Sequence, residues 1–381
     1  MFILAFPFAL VYNILKKKFC ECRIFWYNIE NIIECECDKH FYVIFADSKG
    51  RDFCMKKFLA FLMAFAVIGS VLAGCGGGDK KKEAPKPAAD GGKKFINIAT
   101  GGTAGTYYPL GGALADILNK NVKGANASAQ STGASVANVN LLKEGKVDIA
   151  FIQNDIAYYA ATGTEMFKDK KVESLKGLAT LYPETVQIVT TKKTGIKTVA
   201  DLKGKRVAVG AAGSGTEANA RQILNIAGIT YKDIKPQYLS FGEAASALKD
   251  GNVDAGFVVA GFPTAAIQDL ATQHDVVMVS VGADIADKLI AKYPYYTKVT
   301  IPAKTYNKVE SDTAAVAVKC MLAVTDKMDA DTGYAVVKAL YGNLDRMRAA
   351  HNVSKNITKA TGKDGMSIKL NAGAEKFFNE K

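Results

Sequence analysis

Leu142-Lys143-Glu144-Gly145-Lys146-Val147-Asp148-Ile149-Ala150-Phe151 returns as Leu248-Lys249-Asp250-Gly251-Asn252-Val253-Asp254-Ala255-Gly256-Phe257, at an offset of 106 residues throughout. Each copy reads as the end of a helix, a glycine that stops it, and a buried strand. Upstream of each copy lies a strand, a turn of glycines and hydroxyl residues, and a helix. The first set is Phe95 to Thr100, Gly101-Gly102-Thr103-Ala104-Gly105-Thr106, and a helix from about Tyr107 to Asn119. The second is Arg206 to Val209, Gly210-Ala211-Ala212-Gly213-Ser214-Gly215-Thr216, and a helix to about Ala227. Short apolar strands that alternate with helices predict a parallel, helix-covered sheet in each half. Two similar α/β lobes in one chain leave a cleft between them, and ligands of such sheets bind beyond the carboxyl ends of the strands, where helices begin. Both turns sit at that end, one per lobe.

The chemistry available to these turns is that of helix beginnings. Unpaired backbone N–H groups and a partial positive charge attract anions there. Glycine allows close approach of the backbone, and Thr106, Ser214 and Thr216 add hydroxyls. Neither turn holds Arg, Lys, His or Cys, which suits reversible capture of a carboxylate better than catalysis. Nucleotide motifs fail in detail: Gly210-x4-Gly215 is followed by Thr216 where a phosphate loop needs Lys, and no nucleophile elbow surrounds Ser214. After the first repeat strand, Gln153-Asn154-Asp155 ends the strand and opens a helix at the cleft mouth. Asn154 or Asp155 can serve as a plain helix cap, whereas Gln153 has no capping duty and is the better ligand candidate. The second copy continues to Gly261-Phe262-Pro263, which either walls the pocket or turns the chain. Tyr107 and Tyr108 either close over a ligand or pack in the core.

Composition narrows the classes. A chain of 381 residues is long enough for two domains, and 49% hydrophobic with 23% charged residues is ordinary for a globular protein. The formal charge of +12 is spread along the chain, so no nucleic-acid partner is expected without a basic stripe and stacking aromatics. His274 and His351 are the histidines after Met55, read as surface or helix-end residues; no metal site and no cofactor are expected. Cys320 lies in an apolar run and reads as core. Cys20, Cys22, Cys35, Cys37 and Cys54 crowd the first 54 residues, with pairs spaced more tightly than usual zinc knuckles.

An export signal begins at Met55. Lys56 and Lys57 precede the apolar run Phe58 to Val71 and then Leu72-Ala73-Gly74-Cys75, the layout of a secretory signal peptide. The run is shorter than the roughly 20 residues that span a bilayer. The Leu-Ala-Gly-Cys ending resembles the lipobox of bacterial lipoproteins, which implies lipidation at Cys75 and an extracytoplasmic, lipid-anchored protein. Residues 1–54 then read as a mis-called extension upstream of a true start at Met55. Residues 75–93 form an anchor and hydrophilic tether. The body divides into a first lobe of 94–185 plus about 286–381 and a second of about 186–285, with crossings near Glu184 to Thr190 and Ala283 to Val299.

With those residues in place, the body resembles the TAXI family of TRAP-transporter solute receptors. The resemblance rests on Ile98-Ala99-Thr100-Gly101-Gly102-Thr103-Ala104-Gly105-Thr106-Tyr107-Tyr108-Pro109-Leu110-Gly111-Gly112, on Gln130-Ser131-Thr132-Gly133-Ala134-Ser135, and on Gly213-Ser214-Gly215-Thr216-Glu217. It implies an α/β, two-lobed type II periplasmic-binding-protein fold with a hinge and an interlobe ligand cleft. It also implies a non-enzymatic receptor that hands a small anionic metabolite, a carboxylate such as glutamate, glutamine or 2-oxoglutarate, to TRAP membrane permease subunits. The candidate ligand-binding residues are Gly102, Thr103, Gly105, Thr106, Tyr107, Ser131, Gln153, Asp155, Ser214, Gly215 and Thr216. The alternatives are a binding subunit of an ATP-driven importer for sulfonate, nitrate or vitamin precursors, a ligand sensor, and an enzyme on the same scaffold; the enzyme needs a nucleophile or acid–base pair that the turns do not supply.

Overall fold

The computed structural model describes residues 94–380 in full, preceded by four backbone strands: β1 (Arg23–Phe25), β2 (Ile32–Cys37), β3 (His40–Ala46) and β4 (Asp52–Cys54). These four pair in order as an antiparallel sheet within a compact unit, Met1–Lys86, separate from the unit Pro87–Lys381. The signal segment, Cys75 and the tether lie outside the described residues, as do the side chains of the early cysteines.

The body is built on one ten-stranded sheet. In chain order its first half holds β5 (Lys94–Ala99), α1 (Tyr107–Asn121), β6 (Ala125–Gln130), α2 (Ser135–Lys143), β7 (Ile149–Gln153), α3 (Asn154–Thr162) and the long β8 (Leu175–Thr191). The second half holds β9 (Arg206–Ala208), α4 (Gly215–Ile226), β10 (Lys235–Gln237), α5 (Phe241–Lys249), β11 (Ala255–Ala260), α6 (Ala265–Gln273), β12 (Val276–Val279), α7 (Ala283–Lys292) and β13 (Thr297–Ile301). It closes with the long β14 (Thr313–Thr325), α8 (Ala330–Gly342), α9 (Leu344–Ala350) and α10 (Ala372–Asn379). The strand order is β10-β9-β11-β8-β14-β7-β5-β6, with β12 on β8 and β13 on β14. Strands β6, β5 and β7 run parallel, as do β10, β9 and β11. Every residue of β7 and β11 is buried, as expected where helices cover both faces of a sheet.

The repeated decapeptide does the same physical job twice. Gly145 and Gly251 take φ of 69° and 70°, a left-handed conformation open to glycine at a helix end. Lys146 N–H then donates to Leu141 O and Asn252 N–H to Ala247 O, closing each helix. The aspartate that follows clips the neighbouring parallel strand: Asp148 Oδ2 accepts from Asn97 N at 2.8 Å, and Asp254 Oδ2 from Arg206 N at 2.8 Å. Asp254 also pairs with the Arg206 guanidinium at 2.6 Å.

Two strands join the lobes. The first part of β8 pairs with the last part of β14, while Thr185 to Thr190 pair with β11. Strand β14 pairs with β13 over Thr313 to Ala317 and with β7 over Cys320 to Ala323. Both chains therefore pass between lobes where Pro183 and Glu184 face Lys319 and Val318, beside a register shift between Lys319 and Met321. The second crossing lies on β14 and not over Ala283 to Val299. That segment stays with the second lobe because Ala286, Leu289 and Tyr296 are buried with Val207, Leu224 and Phe257. The first lobe has one core of Ile98, Leu114, Phe151 and Leu340 and another of Val139, Ile152 and Met321 on the opposite face. The second lobe is likewise completed by Leu248, Val258 and Leu270. This is the two-lobed α/β periplasmic-binding-protein fold.

The aspartate clips carry a measurable share of stability. Asp254→Ala strands a backbone N–H and an arginine, so it should lower the unfolding free energy by about 1–3 kcal/mol. Gly251→Ala should cost about 1 kcal/mol through its left-handed backbone. Urea titration followed by circular dichroism reads both.

Candidate functional site

A cavity of about 60 Å³ lies between the lobes, room for roughly four waters at ~15 Å³ each. Five helices begin on its wall. From the first lobe come α1 after Gly101–Thr106, α2 after Thr132–Ala134, and α3 with Gln153 at its cap; from the second come α4 after Ser214 and α5 after Ser240. The caps divide by lobe. Ser214 Oγ accepts from Glu217 N at 3.1 Å and Ser240 Oγ from Glu243 N at 3.4 Å. Helices α1, α2 and α3 have no side-chain cap; the Ala137 amide of α2 donates across the cleft to Gly213 O, and first-turn amides without such a partner are left to a ligand or water. No Lys, Arg or His among the described residues lines the cavity.

Close approach of the lobes depends on glycine at two positions. A Cβ on Gly215 would overlap the Gln153 side-chain amide across the cleft, and one on Gly105 would press on the Phe241 ring at 3.2 Å. The lobes already touch: Ala137 N donates to Gly213 O at 3.0 Å, Ala266 N to Ala104 O at 3.2 Å, and Thr106 Oγ1 to Gly261 O at 3.3 Å. A buried polar seam adds to this. Asn219 donates to Asp155 at 2.9 Å and to the Tyr296 hydroxyl at 2.6 Å, while Gln222 joins Tyr296 to Tyr159.

Of the residues singled out in the sequence, Gly102, Gly105, Thr106, Tyr107, Gln153, Ser214, Gly215 and Thr216 line the cavity. Three are placed elsewhere. Thr103 is exposed on the turn. Ser131 spends its hydroxyl on Gly101 O at 3.0 Å, holding the glycine turn from behind. Asp155 is fully buried in the Asn219 seam, and burial pushes its carboxyl up to about 6. The hydroxyl oxygens of Thr106 and Ser214 are also engaged, the first as donor to Gly261 and the second as helix cap. Asn154 braces β14 by accepting from Lys319 N at 2.9 Å. Tyr108 is partly exposed, and His274 and His351 cap helix ends.

Sequence reasoning missed Ser135, Glu184, Ser240 and Phe241 on the wall. The capping box Ser240-x-x-Glu243 marked a helix start, and Glu184 stood as a lone acid amid the apolar residues of β8; either signal was readable. Glu184 is 1% exposed and accepts from Gln153 Nε2 at 3.2 Å. Burial pushes its carboxyl up to about 8 against the pull of Tyr107, Gln153 and Cys320, so it holds a proton at neutral pH. Cys320 is buried beside it, in the core as read.

A model of the NMT1-like family matches residues 98–381. A curated Escherichia coli (strain K12) protein described as aliphatic sulfonates-binding is 41% identical over 73 residues, 19% of this chain and 23% of that protein. The chain thus aligns with about a quarter of that relative's length. Among solved structures, the periplasmic aliphatic sulphonate binding protein SsuA from Escherichia coli matches at 18% identity, covering 75% of this chain and 82% of that chain, with a TM-score of 0.41. PhnD1 from Prochlorococcus marinus, in complex with methylphosphonate, matches at 12% identity over 70% and 92% with a TM-score of 0.47. These findings overturn the kinship with TAXI receptors, and with it the carboxylate cargo and the TRAP permease partner. The physical reason is that the stretch Ile98–Gly112 encodes β5, a glycine turn and the start of α1. It therefore describes an anion-facing helix end and carries no information on the transporter that receives the ligand.

Two outcomes follow from this geometry. The folded protein keeps the Glu184 proton up to about pH 8, whereas an unfolded glutamate loses it near 4.3. Stability from this group is therefore present at low pH and lost as pH rises toward 8. Glu184→Gln should raise the melting midpoint relative to wild type at pH 9 more than at pH 5, as differential scanning fluorimetry can show. Gly215→Ala should displace Gln153 and hold the lobes apart, seen as a larger radius of gyration in small-angle scattering.

Proposed function

We propose that this chain, which belongs to the NMT1-like family, is the extracytoplasmic binding subunit of an ATP-driven importer and captures a small sulfonate. The observation that carries the reading is the gathering of five helix beginnings around a cavity lined, among the described residues, by no cation. Backbone dipoles supply about half a positive charge per helix, enough for a monoanion. A sulfonate fits this offer: it stays singly charged at neutral pH and presents three acceptor oxygens to amides from several helices. The proton on Glu184 removes the negative charge that would repel such a ligand. The local identity to an aliphatic sulfonates-binding protein supports the same class.

The reading includes solute binding without chemistry, since the wall holds no nucleophile paired with a base, and release to a permease with its ATPase. It also includes tethering to a membrane through lipid on Cys75, supported by the Leu72-Ala73-Gly74-Cys75 sequence; no helix among the described residues is long and apolar enough to cross a membrane. Isothermal titration calorimetry against methane-, ethane-, propane- and butanesulfonate tests the cargo. At least one should bind, and Thr216→Val, which removes a hydroxyl from the start of α4, should weaken it about tenfold, the value of one hydrogen bond to a charged group. Silence across the whole series would sink the reading.

A further inference from the structure

We propose that Phe241 fixes how long an apolar tail the captured ligand can carry, because its ring closes the cavity off from a dry void behind it. This rests on the sulfonate reading and names the residue that sets its reach. The void, about 10 Å³, lies inside the second lobe between α5, α6 and the sheet. Val189, Ala244, Leu248, Val258, Ile267 and Leu270 line it, each at most 4% exposed. Its size suits about one water, but a water needs two to four polar partners. Among the described residues no polar side chain lines it. An apolar void of this kind stays dry and accepts hydrocarbon.

Among the described residues, Phe241 alone borders both the cavity and the void. Its position is fixed locally: it is the first residue of α5, directly after the Ser240 cap, and its ring faces Gly105 of the first lobe. Strand β11 shows how the two spaces are aligned. Alternate residues of a strand share a face, so Gly256, Val258 and Ala260 stand in one row, and Val258 and Ala260 pack in the same core. Ala260 lines the cavity, whereas Val258 and Gly256 line the void. The two spaces therefore follow one another along β11, at about 7 Å for each step of two residues, with the Phe241 ring at their junction. A tail that leaves its anionic head at the helix beginnings and runs along β11 meets this ring. Beyond it the lining is hydrocarbon, where each methylene buried is worth roughly fourfold in affinity.

The experiment titrates straight-chain sulfonates, from ethane- to octanesulfonate, into wild type and Phe241→Ala by isothermal titration calorimetry. In wild type, affinity should rise with length and then fall once the tail meets the ring. Phe241→Ala should move that maximum about two methylenes longer and bind octanesulfonate about tenfold tighter than wild type does. Ala244 lies three residues on from Phe241, on the same side of α5. Adding Ala244→Leu to Phe241→Ala should therefore refill the freed space and return the maximum to the shorter length, a reversal that general loosening of the fold would not give. An unchanged maximum in Phe241→Ala, or a long maximum that persists in the double variant, would overturn the inference and leave the sulfonate reading standing. Binding of no member of the series by either protein would overturn both. Should Phe241→Ala fail to fold, Phe241→Leu takes its place, since it keeps an apolar side chain over the void; a maximum about one methylene longer supports the inference and an unchanged one overturns it.

Discussion

Backbone amides at helix beginnings are donors that the helix cannot use, and this protein gathers five such beginnings around one cavity. In the second lobe, Ser214 and Ser240 each satisfy one amide. In the first lobe the starts of α1, α2 and α3 are uncapped by side chains. Buried amides left open in this way are costly when dry and valuable when an anion or water meets them. The rest of the architecture follows from keeping these ends pointed at one another. Parallel strands place all helix starts of a lobe at the same sheet edge, and two lobes facing each other turn two edges into a closed site.

Holding the lobes together falls to β8 and β14, which belong to both. Because both strands cross at the same height, near Pro183 and Lys319, the connection is a narrow two-strand ribbon broken by a register shift. Such a ribbon can flex by small changes in a few dihedrals, which is how hinged domains move. The Asp155–Asn219–Tyr296 seam lies across the same divide. Burial pushes its carboxyl up to about 6, and its partner Asn219 and that residue's partner Tyr296 are neutral, so the contact between lobes is a set of hydrogen bonds with no opposite charge in it. Glu184 stands at the crossing itself, which makes one residue part of the strand ribbon and part of the cavity wall.

The duplicated decapeptide shows how a sequence repeat can mark structure without marking function. Its conspicuous acids, Asp148 and Asp254, face away from ligand chemistry and clip a neighbouring strand. Its glycines stop helices with left-handed backbones. The cavity-lining glycine turns lie upstream of each copy, with sequences that differ between the lobes, and Gln153 follows the first copy. The same physics explains why the likeness to one receptor family misled: a glycine–hydroxyl turn before a helix states that an anion can bind, and says nothing of which transporter takes it.

Local rules were enough to place the strand–turn–helix units, the helix stops and the turn glycines, since these depend on residues close in the chain. The cavity-facing roles of Gly102, Gly105, Thr106, Gln153 and Gly215 were legible for the same reason: a helix start must sit at a strand's end. Contacts between distant segments were not legible. The crossing on β14, the burial of 286–296 in the second lobe, the diversion of Ser131 and Asp155 into bracing contacts, and the convergence of Glu184 with Gln153, 31 residues apart, all depend on which surfaces meet after folding. A side chain's charge state and partners are set by what surrounds it in space, and for Glu184 that surrounding is assembled from four strands and helices that the chain reaches only when closed.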